Sequence, residues 1–177
     1  KAWWHTRKGI SIDLDGKNGV FKNSTERLID ALDKIVASGY DTIRTWGFGP
    51  YEKKMLEIIR NTYNFRDLKL QVGIYIDHDD VTGAECAVAD DTGATIIIDN
   101  AMKDIMFYKD IVIAVSLGNQ KLAQWNDQLY PGVRLLNAND VAYLADYTKS
   151  RYNVPLTYNI ALEHSDESKV GIPELLT

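Results

Sequence analysis

The sequence is poor in the residues that build disulfides and metal clusters. It contains one cysteine, Cys86, and three histidines among 177 residues. A single cysteine cannot form an internal disulfide, and it makes a zinc cluster improbable. We therefore predict no metal ion and no other cofactor.

The sequence also lacks an excess of basic charge and a long apolar run. Its formal net charge is -5, so it offers no cationic surface to hold phosphates, which argues against nucleic acid as a partner. No apolar stretch approaches the roughly 18 residues that a membrane helix needs. No linker rich in proline or serine divides the chain, and the length suits one domain. We predict a single domain over 1–177.

What the sequence does contain is a repeating alternation of strand and helix patterns. Apolar runs and alternations predict five strands, at 8–14, 42–46, 68–76, 111–120 and 154–159. Helical spacing of apolar residues follows each of the first four. The first helix begins at Asn23 or Ser24 and ends at Gly39, the second covers 51–63, the third 100–108, and Asn137 caps the fourth. Segment 81–99 stays open between a short extra strand and the first turn of a helix.

Repeated strand–helix units predict an α/β fold with a parallel sheet and right-handed crossovers. Two architectures fit this rhythm. An open doubly wound sheet fits the length comfortably. A (β/α)8 barrel of the TIM type normally needs 200 or more residues, so the chain would form a partial or shortened barrel with five of the eight strands.

The stretch 111–120, IVIAVSLGNQ, is the most informative segment of the chain. Its first five residues are apolar, as in a parallel strand that is covered on both faces. It then turns polar at Ser116, Gly118, Asn119 and Gln120. Because ligands of α/β folds bind where strands end, we expect the centre of a site at Asn119 and Gln120.

Polar and aromatic side chains follow the other predicted strands in the same way. Amides, carboxylates and aromatic rings at one edge of a sheet are typical of sugar-binding sites, since the former bind hydroxyl groups and the latter stack on sugar rings. Polar residues at strand ends also serve merely to cap helices, but five sets together favour a site. The predicted lining residues are Arg44, Trp46, Tyr75, Asp77, Tyr158 and Asn159.

Four segments, YDTIRTWG, LKLQVGIYIDHDD, IVIAVSLGNQ and YNVPLTYNI, occur in the order and rough spacing found in glycoside hydrolase family 17. The chain resembles the first five strands of that family's (β/α)8 barrel. The resemblance implies a β-1,3-glucanase or transglycosylase, an oligosaccharide or polysaccharide as partner, and a secreted or periplasmic location. By resemblance, Asn119 contacts the sugar 2-hydroxyl and Gln120 stands where the family has its general acid/base glutamate.

Gln120 is the first departure from the family pattern. A retaining glycosidase needs one carboxylic acid to protonate the leaving oxygen and a second carboxylate as nucleophile. A primary amide has nearly the same shape but cannot act as an acid or a base. Either a glutamate was replaced by design to trap a substrate, or the natural protein is a non-catalytic relative. Whether this chain is an enzyme therefore stays open.

The second departure is length. The family's nucleophile is a glutamate at the end of strand seven, and no residue here matches it. We expect that the chain lacks a second half, that it forms a homo-oligomer which closes the open sheet edges, or that its ends are covered in another way. The alternative to a glycoside hydrolase-like domain is a non-catalytic carbohydrate-binding or structural protein on a shortened barrel.

Overall fold

The computed structural model describes residues 7–14, 24–76, 93–118 and 136–158. These residues form five strands and four α-helices. The strands are β1 (Gly9–Ser11), β2 (Thr42–Arg44), β3 (Lys69–Ile74), β4 (Val112–Leu117) and β5 (Leu156–Thr157). The helices are α1 (Thr25–Ala37), α2 (Pro50–Asn61), α3 (Gly93–Phe107) and α4 (Ala138–Arg151), and a 3-10 turn follows α2 at Tyr63–Phe65.

The strands form one parallel sheet in the order β1-β2-β3-β4-β5. Each strand pairs in parallel with the next one along the chain. A doubly wound sheet instead reverses its strand order at a switch point, and the five strands described show no such reversal. The fold is therefore that of a partial barrel, as predicted, and the alternative of a doubly wound sheet is wrong for the described strands.

Local sequence signals place the helix starts. Ser24 caps α1, because its side chain accepts a hydrogen bond from the backbone N–H of Arg27, which decides between the two predicted caps. Asn137 caps α4 as predicted, and it exchanges reciprocal hydrogen bonds with Asp140 in a capping box. Gly39 ends α1 with a φ of 76°, a backbone conformation that favours glycine.

Two helix predictions need correction. Helix α3 begins at Gly93 rather than at Asn100, so the apolar run at 95–98 is helical and not a strand. Helix α2 ends at Asn61, and Thr62 takes an extended conformation. The helical period is therefore interrupted before Tyr63, whose side chain is 73 % exposed instead of lying on the buried face of α2.

The hydrophobic core lies between the helices and one face of the sheet. Right-handed crossovers between sequential parallel strands put the four described helices on that face. Alternate strand residues supply its sheet side, and all of the following are buried: Ile43, Leu70, Val72, Ile74, Val115 and Leu117. Leu32, Met55, Ile98 and Leu144 cover them from the four helices.

The opposite face of the sheet, here called the inner face, is polar. The strand register puts Ser11, Arg44 and Gln71 side by side across β1, β2 and β3. Gln71 Nε2 donates a hydrogen bond of 2.9 Å to Thr157 Oγ1 of β5, two strands away. Residues of alternate strands share a layer inside closed barrels, where branched apolar side chains dominate. The bond between Gln71 and Thr157 likewise joins alternate strands, β3 and β5, but it joins polar side chains.

An aspartate–tyrosine cluster ties α3 to the end of α4. The hydroxyl groups of Tyr147 and Tyr152 donate to the two carboxylate oxygens of Asp99, at 2.8 and 2.9 Å. Burial, and then the bond to Asp99, raise the pKa of Tyr152 from 10.0 to about 12. The cluster fixes the point at which the chain leaves α4 and enters β5.

Within the described residues, no helix is both long and apolar enough to span a membrane.

Replacing Tyr152 with phenylalanine should lower the free energy of unfolding at neutral pH by ~1–2 kcal/mol, since a hydrogen bond to a carboxylate is lost. The difference should shrink as the pH rises from 10.0 towards about 12. In that window the phenol ionises in the unfolded chain while it is still protonated in the folded one, so the contribution of a raised pKa is lost.

Urea unfolding across this pH range measures both effects. Tyr63→Phe, at an exposed tyrosine, is the matched control, and equal stability of the two variants would contradict the role of the cluster.

Candidate functional site

The carboxyl ends of the strands meet at one edge of the sheet because all five strands run parallel. We call the described residues just beyond β2, β3, β4 and β5 the rim. It consists of Thr45–Gly49, Tyr75, Ile76, Gly118 and Tyr158. In barrels of this kind the binding and catalytic residues lie at this edge. A binding site is therefore expected at the rim.

Arg44 and Trp46 form a stacked pair where β2 reaches the rim. The Arg44 guanidinium carbon lies 4.4 Å from the centroid of the Trp46 ring, within the range of a cation–π interaction. Both side chains are half-buried. Burial lowers the pKa of Arg44 from its ordinary value of 12.5, although a guanidinium stays charged in proteins. The pair presents a cation and an aromatic ring at the head of the inner face.

The buried residue Thr45 holds this pair in place. Its hydroxyl group donates to the carbonyl of Gly47 at 2.9 Å and accepts from the N–H of Gly73 at 3.3 Å. Its own N–H donates to the carbonyl of Gln71 at 3.0 Å. The start of the β2–α2 loop is thereby anchored to β3, so Trp46 is positioned by backbone contacts and not only by its ring.

Gly73 permits this close approach. A Cβ atom at position 73 would lie 2.4 Å from the carbonyl oxygen of Trp46 and 2.8 Å from that of Thr45. Such distances are far inside van der Waals contact, and the neighbouring atoms are backbone. Only glycine therefore lets the β2–α2 loop cross β3 at this point.

Tyr75 lies beside this loop at the end of β3. A Cβ atom added to Gly47 would lie 3.8 Å from Tyr75 Cβ, so the two residues are neighbours. The tyrosine is 48 % exposed. The structure thus brings together three of the predicted site residues, Arg44, Trp46 and Tyr75. Their role in binding a ligand stays a prediction.

The end of β4 is shaped by Gly118. Its N–H donates to the carbonyl of Ile74 at 2.8 Å, and its φ of 68° lies in the left-handed region that favours glycine. The strand therefore ends at Leu117 and the chain turns immediately before the predicted centre of the site. Asn119 and Gln120 themselves lie outside the described residues, as do Asp77 and Asn159.

Tyr158 lies on the other side of the sheet from the Arg44–Trp46 pair. Together with Ile76, Leu117, Leu136 and Leu144 it lines a small apolar pocket between the rim and α4. Its surroundings belong to the helix-covered face rather than to the inner face. Tyr158 therefore does not lie beside Arg44, Trp46 and Tyr75, and its place in a sugar cleft stays a prediction.

Sequence reasoning counted Thr45 among the polar residues at the end of the second strand but passed over Gly73 as a part of the site. A signal for Gly73 does exist, because an isolated glycine in a strand pattern indicates a bulge or a close backbone approach. Nothing in the sequence identifies Trp46 as the approaching partner, since the two positions come together only when β2 and β3 pair.

Gly73→Ala should displace the β2–α2 loop and lower the free energy of unfolding by ~1–3 kcal/mol, the usual cost of overpacking. Urea unfolding measures the loss. Gly9→Ala in β1 is the matched control, because its added Cβ would meet its nearest neighbour at an ordinary 3.8 Å. A Gly73→Ala variant as stable as Gly9→Ala would contradict the close approach.

No family model and no curated protein matches this chain. Among solved structures, the chain is similar to the crystal structure of an endo-laminarinase from Formosa Hel1_33_131, with a TM-score of 0.59 and 19 % sequence identity. The similarity covers 82 % of this chain and 38 % of the laminarinase chain. The chain thus spans well under half the length of that protein. At this identity the likeness establishes the fold, and the resemblance to family 17 stays a prediction.

Proposed function

We propose that this chain is a glycoside hydrolase-like domain that binds a β-1,3-type glucan at the rim. The observation that carries the proposal is the Arg44–Trp46 pair, held by Thr45 and Gly73 at the carboxyl edge of a barrel-type sheet. The same fold occurs in an endo-laminarinase. A secreted or periplasmic location, which the resemblance to family 17 implies, belongs to the same proposal.

The proposed site combines aromatic stacking with hydrogen bonds to sugar hydroxyl groups. Trp46 and Tyr75 would supply ring faces, and Arg44 would donate hydrogen bonds. Beyond the described residues, Asn119 would hold the 2-hydroxyl, and Asp77 and Asn159 would add to the lining. Tyr158, which is described, would join them from the end of β5. Gln120 would sit against the glycosidic oxygen.

Gln120 decides what such a site does with its ligand. Cleavage with retention requires a carboxylic acid that protonates the leaving oxygen and a carboxylate that attacks the anomeric carbon. An amide offers the same hydrogen bonds to a ground-state sugar but no proton to the leaving group. With glutamine at position 120, the chain should therefore bind a glucan and hydrolyse it slowly or not at all.

The alternative is a non-catalytic carbohydrate-binding or structural protein. It is favoured by the two ends of the described sheet, β1 and β5, each of which pairs with one neighbour only. Open edges promote association with a further strand. Under this alternative Gln120 is the native residue, the natural reading frame encodes no nucleophile, and copies of the chain associate through these edges.

Gln120→Glu, introduced into the longest natural reading frame that contains this chain, should raise the rate of β-1,3-glucan hydrolysis at least about 100-fold, the contribution typical of a general acid/base. Release of reducing ends measures the rate, and calorimetric titration of the unaltered chain measures binding. Gln128→Glu is the matched control, since it adds the same charge eight positions further on.

Three results are informative. Binding together with activity that depends on glutamate at position 120 supports an impaired hydrolase. Binding without activity in either form supports the non-catalytic alternative. If neither form binds or cleaves any glucan, the proposed function is wrong.

A further inference from the structure

A groove separates α2 from α3 on the helix side of the sheet, next to the rim. Its volume is about 520 Å³, within the range of roughly 300–1,000 Å³ that is typical of small-ligand sites. The start of α2 and the loop before it form one wall, and the middle of α3 forms the other. Ile74 and Tyr75 close the end that meets the rim.

The polar groups of the groove come from both walls. Lys53 Nζ of α2 donates to Asp104 Oδ1 of α3 at 2.9 Å, and both side chains remain nearly half exposed, at 45 % and 42 %. Asp104 raises the pKa of Lys53 through this bond, so the ammonium is charged at all ordinary pH values. Asn100 lies one turn before Asp104 on the same face of α3. An ammonium, a carboxylate and an amide thus face one space.

The apolar part of the lining is aromatic at the rim end. Phe48 and Tyr75 contribute rings, and Ile97 and Ala101 contribute the apolar strip of α3. A ligand that fits must therefore expose hydroxyl groups along its edge and C–H groups on its face. A pyranose ring has this distribution of groups.

The charges of the groove argue against the other small ligands that such a size admits. The backbone N–H of Gly49, at the start of α2, already donates to Glu52 Oε2 at 2.8 Å, so the helix terminus is occupied by a carboxylate. The Asp104 carboxylate would also repel a phosphate. A divalent cation would meet the Lys53 ammonium beside a single lining carboxylate, whereas such ions prefer several oxygen ligands.

We infer that the groove between α2 and α3 is an accessory subsite that binds further sugar units of the same glucan chain. The inference rests on the proposed function of the rim. Tyr75 connects the two regions, because it lies beside the loop that carries Trp46 and also lines the groove. A long glucan can therefore contact the rim and the groove together, whereas a short one occupies the rim alone.

The test compares a β-1,3-linked glucose trisaccharide with the corresponding octasaccharide in calorimetric titrations of the whole chain. The double variant Lys53→Met/Asn100→Ala removes one polar group from each wall. It should bind the octasaccharide about tenfold more weakly, since hydrogen bonds involving a charged group are lost. Its affinity for the trisaccharide should equal that of the unaltered chain. Exposed ion pairs contribute little to stability, so the variant should fold, and thermal unfolding checks this.

Lys34→Met is the matched control. It removes a lysine from an exposed ion pair on α1, Lys34 with Asp30 at 2.7 Å, and no residue of α1 lines the groove. It should leave both affinities unchanged. Asp104→Asn keeps the shape of the groove and provides a second variant if the double variant is unstable, and it too should affect only the octasaccharide.

The outcomes separate the two proposals. If the unaltered chain binds both sugars and the groove variants match it at both lengths, the accessory subsite is wrong while the rim proposal stands. If the groove variants weaken both sugars equally, the groove does not act as a separate subsite, and the inference is likewise overturned. If the unaltered chain binds neither sugar, the proposed function fails and the subsite with it.

Discussion

The structure depends on sequential parallel pairing of the strands. Each strand hydrogen-bonds to the next one along the chain and runs in the same direction. As a consequence the four described helices pack on one face, and the carboxyl ends of the five described strands reach one edge. The opposite face carries polar side chains in the described strands. The rim, the groove and the inner face all follow from this order, since a sheet with a switch point would put its helices on both faces.

Much of this arrangement could be predicted from the sequence because its causes are local. Apolar runs bounded by turn residues place the five strands, and Asn137 with Asp140 marks the start of α4. The strand–helix rhythm also predicts a parallel sheet with right-handed crossovers, but it fits a doubly wound strand order as well as the sequential order that the structure has. The early start of α3 was harder to predict, because a run of threonine and isoleucine suits a strand as well as a buried helix.

Contacts between distant segments could not be predicted. Asp99 meets Tyr147 and Tyr152 across 48 and 53 positions, and Lys53 meets Asp104 across 51. The crossing of the β2–α2 loop over Gly73 depends on two strands being paired in one register. Three predicted site residues that follow β4 and β5 stay predictions from the sequence: Asn119, Gln120 and Asn159. The assignment of 1–177 to one domain also stays a prediction.

The central claim is that a glucan binds at the carboxyl edge of this sheet, beside the Arg44–Trp46 pair. The most direct measurement is a crystal structure of the chain soaked with a linear β-1,3-linked glucose hexasaccharide. The account predicts an intact sugar chain at the rim, with one ring near Trp46 and the next units extending past Tyr75. A sugar bound only at the opposite edge of the sheet, or no bound sugar at a concentration that saturates the chain in solution, would contradict it.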